Sequence, residues 1–352
     1  DSRRFIARLP KPPYLFMDRV VEAAPEPWVL KPGGWIQAEM DIDPDDWYFR
    51  ANRTPNMPFC VLNEIALQPC GWLAAYMGSA LRSEKDLRFR NLGGRAQLSR
   101  DVPAKRSSLT TRARLTQVSE AGDMIIEHYA FQILLSQQMV YQGQTHFGFF
   151  TRKALAEQVG LQQIHMSRYT LPEDLTGCKS MAMPDHAPTA PDDLSGHVHE
   201  HAVMPGRAIR MIDHMDAYLP QGGPHGHGFI KASKDVQPEE WFFKAHFLND
   251  PVCPGSLGLE SLIQALKFIA LDRWPHLADD HCFTLKSDIH HQWTYRGQIT
   301  PENRRIELVA VVTSVEEKPF PMLTADSLLT VDGLPIYHME QFSIGLIPVT
   351  KR

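Results

Sequence analysis

Long apolar runs are missing from this 352-residue chain: none approaches the roughly 18–20 residues that a membrane-spanning helix needs. Cysteine is scarce, with Cys60, Cys70, Cys178, Cys253 and Cys282 the only five. An odd number without a close CxxC pair argues against a disulfide-stapled scaffold and predicts reduced thiols. Positive charge is in deficit, with 36 Lys and Arg against 41 Asp and Glu, so the chain has no general pull toward nucleic acid. No signal-peptide pattern opens the sequence; Asp1-Ser2-Arg3-Arg4-Phe5 leads straight into folded-type sequence. These absences predict a cytoplasmic protein with no membrane span and no nucleic-acid partner. An initiator Met is also lacking, so the chain reads as a piece of something larger. What remains is globular: 43% hydrophobic residues are enough to bury a core, and the length suits about two domains.

The chain repeats itself once. Residues 35–51, WIQAEMDIDPDDWYFRA, align without a gap on 229–245, FIKASKDVQPEEWFFKA, at an offset of 194. Seven of these 17 positions are identical, where chance gives about one. Further on, Glu64 faces Glu260 and Gln68 faces Gln264, both at offset 196, as does Val140-Tyr141 with Ile336-Tyr337. The predicted division is residues 1–151 for the first unit, 152–205 for a linker and 206–352 for the second. A duplicated unit of this kind is expected to sit as a pseudo-dimer.

Each unit reads alike. A short strand near Phe16–Val21 precedes a strand at about 33–40 and the Trp47-Tyr48-Phe49 segment. The apolar run from Cys60 to about Ser79 then predicts a nearly all-round buried helix, kinked or broken at Pro69. Strand-like stretches follow at about 87–99, 107–119, 123–135 and 138–151. The second copy repeats this with a helix at about 257–274 and strands near 282–295, 303–316, 320–331 and 334–347. One long helix followed by antiparallel strands is an α+β pattern, best met by a helix wrapped in a curved sheet. The Pro- and His-rich linker is expected to drape over the surface.

Chemistry concentrates in the second copy, in His246-Phe247-Leu248-Asn249-Asp250-Pro251-Val252-Cys253-Pro254-Gly255-Ser256. His246 falls in a loop before a buried helix that Pro254-Gly255 opens. Free backbone N–H groups of Gly255 and Ser256 at that helix start can face a ligand oxygen. Glu260 and Gln264, four apart, share a helix face, and a carboxylate inside so apolar a run is not merely solvated.

This segment resembles the active-site motif of the 3-hydroxyacyl-acyl carrier protein dehydratases of the β-hydroxydecanoyl type, which have the hot-dog fold. The first copy, from Ala51-Asn52-Arg53 through Asn63-Glu64 to Gln68, resembles the degenerate partner unit of polyunsaturated fatty acid and polyketide-type synthases. The resemblance covers the whole chain and implies a double hot dog. At offset 194, His246 falls on Asn52, which has no ionisable proton near neutral pH and cannot be a general base. The resemblance implies that the base of one unit meets the acid of the other. His246 then pairs with Glu64, while Asn52, Glu260 and Gln264 form the degenerate counterpart. It further implies water elimination from a 3-hydroxyacyl thioester on the phosphopantetheine arm of an acyl carrier protein, beside other synthase domains. His246, near its ordinary pKa of about 6.5, takes the C2 proton. Glu64 protonates the leaving hydroxyl and Gln68 orients it. The N–H of Gly255, with that of Ser256, holds the thioester oxygen, and the carbonyl of Val252 fixes the His246 tautomer. No metal and no cofactor is implied. Glu in place of the family's Asp is a departure.

Other readings stay open on the residues alone. The same His could move a proton at C4 and isomerise the product to cis-3. An acyl-thioester hydrolase, a non-catalytic acyl- or carrier-binding module, and a metal-dependent hydrolase at His197-Val198-His199-Glu200-His201 are further classes. His225-Gly226-His227 and His290-His291 read as incidental. An acidic carrier calls for a basic docking patch, for which Arg88-Phe89-Arg90 and Lys105-Arg106 are candidates.

Overall fold

Alternating apolar residues along the strands and two all-round apolar helices can bury their surfaces together only if sheet wraps helix. The computed structural model, which describes residues 5–122 and 124–349, has that architecture twice. The first copy contains β1 (Arg19–Ala24), β2 (Trp35–Ile42), the short helix α1 (Trp47–Asn52) and the long helix α2 (Phe59–Tyr76). Its β3 (Leu87–Leu98), β4 (Ser107–Ala121), β5 (Met124–Leu135) and β6 (Gln138–Thr151) follow. The linker contributes α3 (Arg152–Ala156) and β7 (Lys179–Ala182). The second copy has β8 (His214–Leu219), β9 (Phe229–Asp235), α4 (Trp241–Ala245) and α5 (Gly255–Arg273). It ends with β10 (His281–Thr284), β11 (His290–Tyr295), β12 (Arg305–Glu316), β13 (Met322–Val331) and β14 (Leu334–Pro348).

All the strands join one antiparallel sheet, in the order β1-β2-β4-β5-β6-β3-β11-β14-β13-β12-β9-β8-β7, with β10 on β14. Read from the β3–β11 seam outward, the two copies give the same order, so the pseudo-two-fold passes between those strands. At the seam Trp293 pairs with Gly94, and its indole lies where a Cβ on Gly94 would be, only 2.4 Å away. Any other residue at 94 would push the copies apart. Inside the wrap, α2 and α5 lie against each other, and Leu62, Ile65, Leu262 and Leu266 are among their buried residues. This is the double hot dog, with the helices of both copies sharing one core.

Two local expectations need correction. The helix α2 runs unbroken through Pro69. A proline there removes the bond to the carbonyl four residues back, on Ile65. The Thr111 hydroxyl of β4 donates to that carbonyl instead, at 3.1 Å, so the break is made good by the sheet. The expected strand at 282–295 is split into β10 and β11, whereas β3 is continuous. His290 and His291 do fall at a strand end, the start of β11, where His291 is buried with Nε2 2.9 Å from the Tyr141 hydroxyl.

The linker runs across both copies. Leu161 N–H donates to Pro335 O, β7 adds an edge strand to β8, and His199 N–H donates to Arg53 O. His199 also meets the Arg53 guanidinium at 3.1 Å. Among the described residues no group of three or more His, Cys, Asp and Glu is arranged to hold a metal ion, and no helix is long and apolar enough to cross a membrane.

Candidate active site

Between the copies lies a cavity of about 470 Å³, and both His246 and Glu64 line it, with Gln68, Val252, Gly255, Ser256 and Tyr295. The residues come from opposite units because each long helix starts near the other's middle. Pro254 precedes α5, and the first helical bonds run from Leu257 and Gly258 N–H to Pro254 O. The N–H groups of Gly255 and Ser256 therefore belong to the first turn, where no helical acceptor exists. Gly255 is required for packing: its Cβ would sit 2.6 Å from the Tyr295 ring.

His246 caps the short helix α4 and is buried. Its Nδ1 lies 3.0 Å from Val252 O. A carbonyl only accepts, so Nδ1 carries the proton and Nε2 keeps its lone pair. The ring stacks on Phe247 at 3.9 Å between centroids. Burial pushes its pKa down to about 3, so the expectation of a value near 6.5 does not hold. The Val252 bond works in the opposite direction but is outweighed by desolvation.

Glu64 sits in the middle of α2, also buried. Ser256 Oγ donates to its Oε1 at 2.7 Å, and Gln68 Nε2 donates to its Oε2 at 3.1 Å. The Tyr14 hydroxyl joins the chain at 2.8 Å from Ser256 Oγ. Burial raises the Glu64 pKa above the ordinary carboxylate range, against these two bonds. Gln68 is itself fixed, donating to Tyr14 O and accepting from Phe16 N–H. Gln264 does the same in the second copy, to Ile209 O and from Met211 N–H, which makes the offset of 196 a structural equivalence.

The counterpart site is filled. Lys267, buried in α5, places Nζ 3.0 Å from Asn52 Oδ1 and 3.8 Å from Glu260 Oε1. Cys60 N–H points at Glu260 Oε2 from 3.4 Å. Burial drives Glu260 up and Lys267 down, each toward its neutral form. Asn52 is held besides by its own loop, donating to Thr54 Oγ1 and Asn56 O.

Four participants were not legible in the sequence. Tyr14 and Lys267 lie outside the motif, and nothing in their spacing marks them. Tyr295 is buried, lines the cavity, and its hydroxyl has no hydrogen-bond partner among the described residues. Arg90 reaches across from β3 to form a two-pronged bond with Asp250, at 2.6 and 2.8 Å, and Arg88 lies 3.4 Å from the same carboxylate. Arg88 and Arg90 are thus committed to the His246 loop and are not the free docking patch expected of them. Arg106, the other candidate, is exposed and pairs with Asp43 at 2.9 Å.

Comparison with known proteins adds a family. The chain is 31% identical over 328 residues to one subunit of the polyunsaturated fatty acid synthase of Thraustochytrium sp., covering 89% of this chain and 22% of that one. It therefore spans about a fifth of that relative's length. Solved structures show weaker likeness. The dehydratase domain from the CurJ module of curacin polyketide synthase is 12% identical with a TM-score of 0.46, over 95% of this chain and 96% of that one. The 12:0-ACP thioesterase from Umbellularia californica is 9% identical with a TM-score of 0.47, over 89% and 93%. Scores this low carry no weight for either activity. The model of the FabA-like domain, in contrast, matches residues 9–144 and again 204–340, once per copy and skipping the linker, and by that double match the chain belongs to the FabA-like family.

Proposed function

We propose that the cavity removes water from a 3-hydroxyacyl thioester, presented on the phosphopantetheine arm of an acyl carrier protein, to leave a trans-2-enoyl thioester. The observation that carries this reading is the meeting of a neutral imidazole and a carboxyl with a raised pKa, one from each copy, beside a helix N-terminus. His246 Nε2 takes the C2 proton, and the charge that develops on the thioester oxygen is met by the Gly255 and Ser256 N–H groups. Glu64 gives its proton to the C3 hydroxyl, the C3–O bond breaks, and water leaves as the C2–C3 double bond forms. Proton return from the imidazolium to the Glu64 carboxylate resets the site. Ser256 and Gln68 each satisfy one carboxyl oxygen of Glu64, and each oxygen keeps a second lone pair that can hold the proton. Both proton transfers use groups of this chain, so the reading calls for no cofactor and no metal.

Its relative's name supports placement in a multidomain synthase, where further domains supply and consume the thioester. The test is incubation with a 3-hydroxyacyl-carrier thioester, followed by mass spectrometry of the carrier. Loss of one water with the thioester intact is the expected result. Release of free thiol in its place means a hydrolase, and neither change means a binding module. Chromatography of the released enoyl chain against trans-2 and cis-3 standards, which have the same mass, decides whether the imidazole also moves a proton at C4.

The unpartnered Tyr295 hydroxyl adds a third donor beside Gly255, where the thioester oxygen becomes charged. A hydrogen bond to a charged group contributes about 1.5–3 kcal/mol. Tyr295→Phe keeps the ring against Gly255 and is expected to lower kcat by about 10–10²-fold with little change in KM. An unchanged kcat would remove Tyr295 from the mechanism.

A further inference from the structure

The first copy has lost its base, yet the cavity runs along its helix. Glu64, Gln68, Gly71, Trp72 and Ala75 line it at helical spacing, from the reacting end outward. From Glu64 to Ala75 that is about 16 Å of helix at 1.5 Å per residue. Polar groups gather at the Glu64 end, where the buried Tyr295 hydroxyl stands without a partner. Away from it the walls are Phe89, Phe147 and Phe149, roofed by the segment Ile6–Pro10. Phe89 and Phe147 stack at 4.6 Å in that wall.

At the same offset of 196, Gly71 corresponds to Lys267 and Ala75 to Leu271. Lys267 fills its own half, stretching to Asn52 and lying 5.7 Å over the Phe283 ring. Leu271 packs against the core. The two helices thus differ where a chain would lie: small in the half that lacks the base, large in the half that has it.

Resting on the dehydratase reading, we propose that the first copy is the acyl-binding half, and that Gly71 and Ala75 gauge how long an acyl chain the site accepts. A substrate with its C3 hydroxyl at Glu64 sends its tail along α2, past Gly71 and then Ala75. The second copy supplies base and oxygen-binding N–H groups; the first supplies acid and groove.

The test is the affinity of saturated acyl-phosphopantetheine thioesters of increasing length, which lack the hydroxyl and cannot react. The result therefore does not depend on dehydration, which is assayed separately with the hydroxylated series. Each methylene buried in the groove is expected to tighten wild-type binding about fourfold. Ala75→Leu should leave short chains unaffected and abolish the gain for long ones. Gly71→Ala and Gly71→Leu should end the gain at shorter chains still, since Gly71 lies one helical turn nearer to Glu64; a Cβ there meets Phe89 at 3.3 Å. Leu271→Ala, the same place in the other copy, should leave the series unchanged. The proposal is overturned if the 71 and 75 variants weaken all lengths equally, if they change none, or if Leu271→Ala moves the cutoff. Normal binding with no water loss from the hydroxylated series would instead overturn the dehydratase reading.

Discussion

Replacing His246 with Asn is expected to cut the rate of water loss by about 10²–10⁴-fold, because it gives the second copy the same residue the first copy already has. Glu64→Gln should fall as far: the amide oxygen keeps the bond from Ser256, but the amide has no acidic proton to give. Glu260→Gln should stay near wild type, since Glu260 faces Lys267 and Cys60 rather than the cavity that His246 lines. Steady-state turnover of the three variants decides. A dead Glu260→Gln with an active Glu64→Gln would mean that acid and base come from one unit, and the cross-paired site would be abandoned. The pH profile follows from the same environment. The low-pH limb of kcat/KM should lie below about 6.5, the value of a free imidazole, since burial holds His246 near about 3. The high-pH limb should be set by Glu64, whose pKa burial displaces upward. For stability the sign is fixed by proton counting. Between pH 6.5 and about 3 the unfolded chain binds protons that the folded imidazole refuses, so stability falls as pH drops through that window. Buried His291 shares this behaviour, so His246→Asn should lessen the acid sensitivity without abolishing it.

The repeat and the motif made the fold readable, and with it the meeting of His246 and Glu64 in one cavity, because both rest on local pattern. Two alignable units with one helix and alternating strands leave few architectures, and Pro254-Gly255 before an apolar run marks a helix start. Long-range partners carry no such mark. Arg90 and Asp250 are 160 residues apart, and a basic pair on a strand looks the same whether it faces solvent or an acid. Nothing in the spacing marks Lys267; its reach to Asn52 Oδ1 in the other copy is what makes it a plug. Pro69 failed as a breaker for the same reason, since Thr111 lies on a strand that the sequence places but does not aim. The imidazole pKa was misjudged because the loop sequence does not tell how fully the ring is enclosed.

The Arg90–Asp250 pair is where removing a group that does not itself move a proton should cost most. Asp250 follows His246 by four residues and is buried, with Arg90 held besides by Gln298 Oε1 at 2.9 Å. Taking away one partner of a buried pair strands the other charge, at a cost of about 3–5 kcal/mol. Arg90→Ala should therefore lose stability on that scale in urea unfolding, since Arg88, at 3.4 Å, engages only one oxygen. The loss should also reach the chemistry. Val252, whose carbonyl fixes the His246 tautomer, lies two residues past Asp250, so a loosened loop misaims the base, and misplacement of about 1 Å can cost 10²-fold in rate. A double-mutant cycle with Asp250→Ala separates the pair from its surroundings: the second substitution should cost far less once the first is made. Additive losses of under about 1 kcal/mol each would mark the pair as an exposed-type contact, and the loop would then owe its position to the His246–Val252 bond and the Phe247 stack instead.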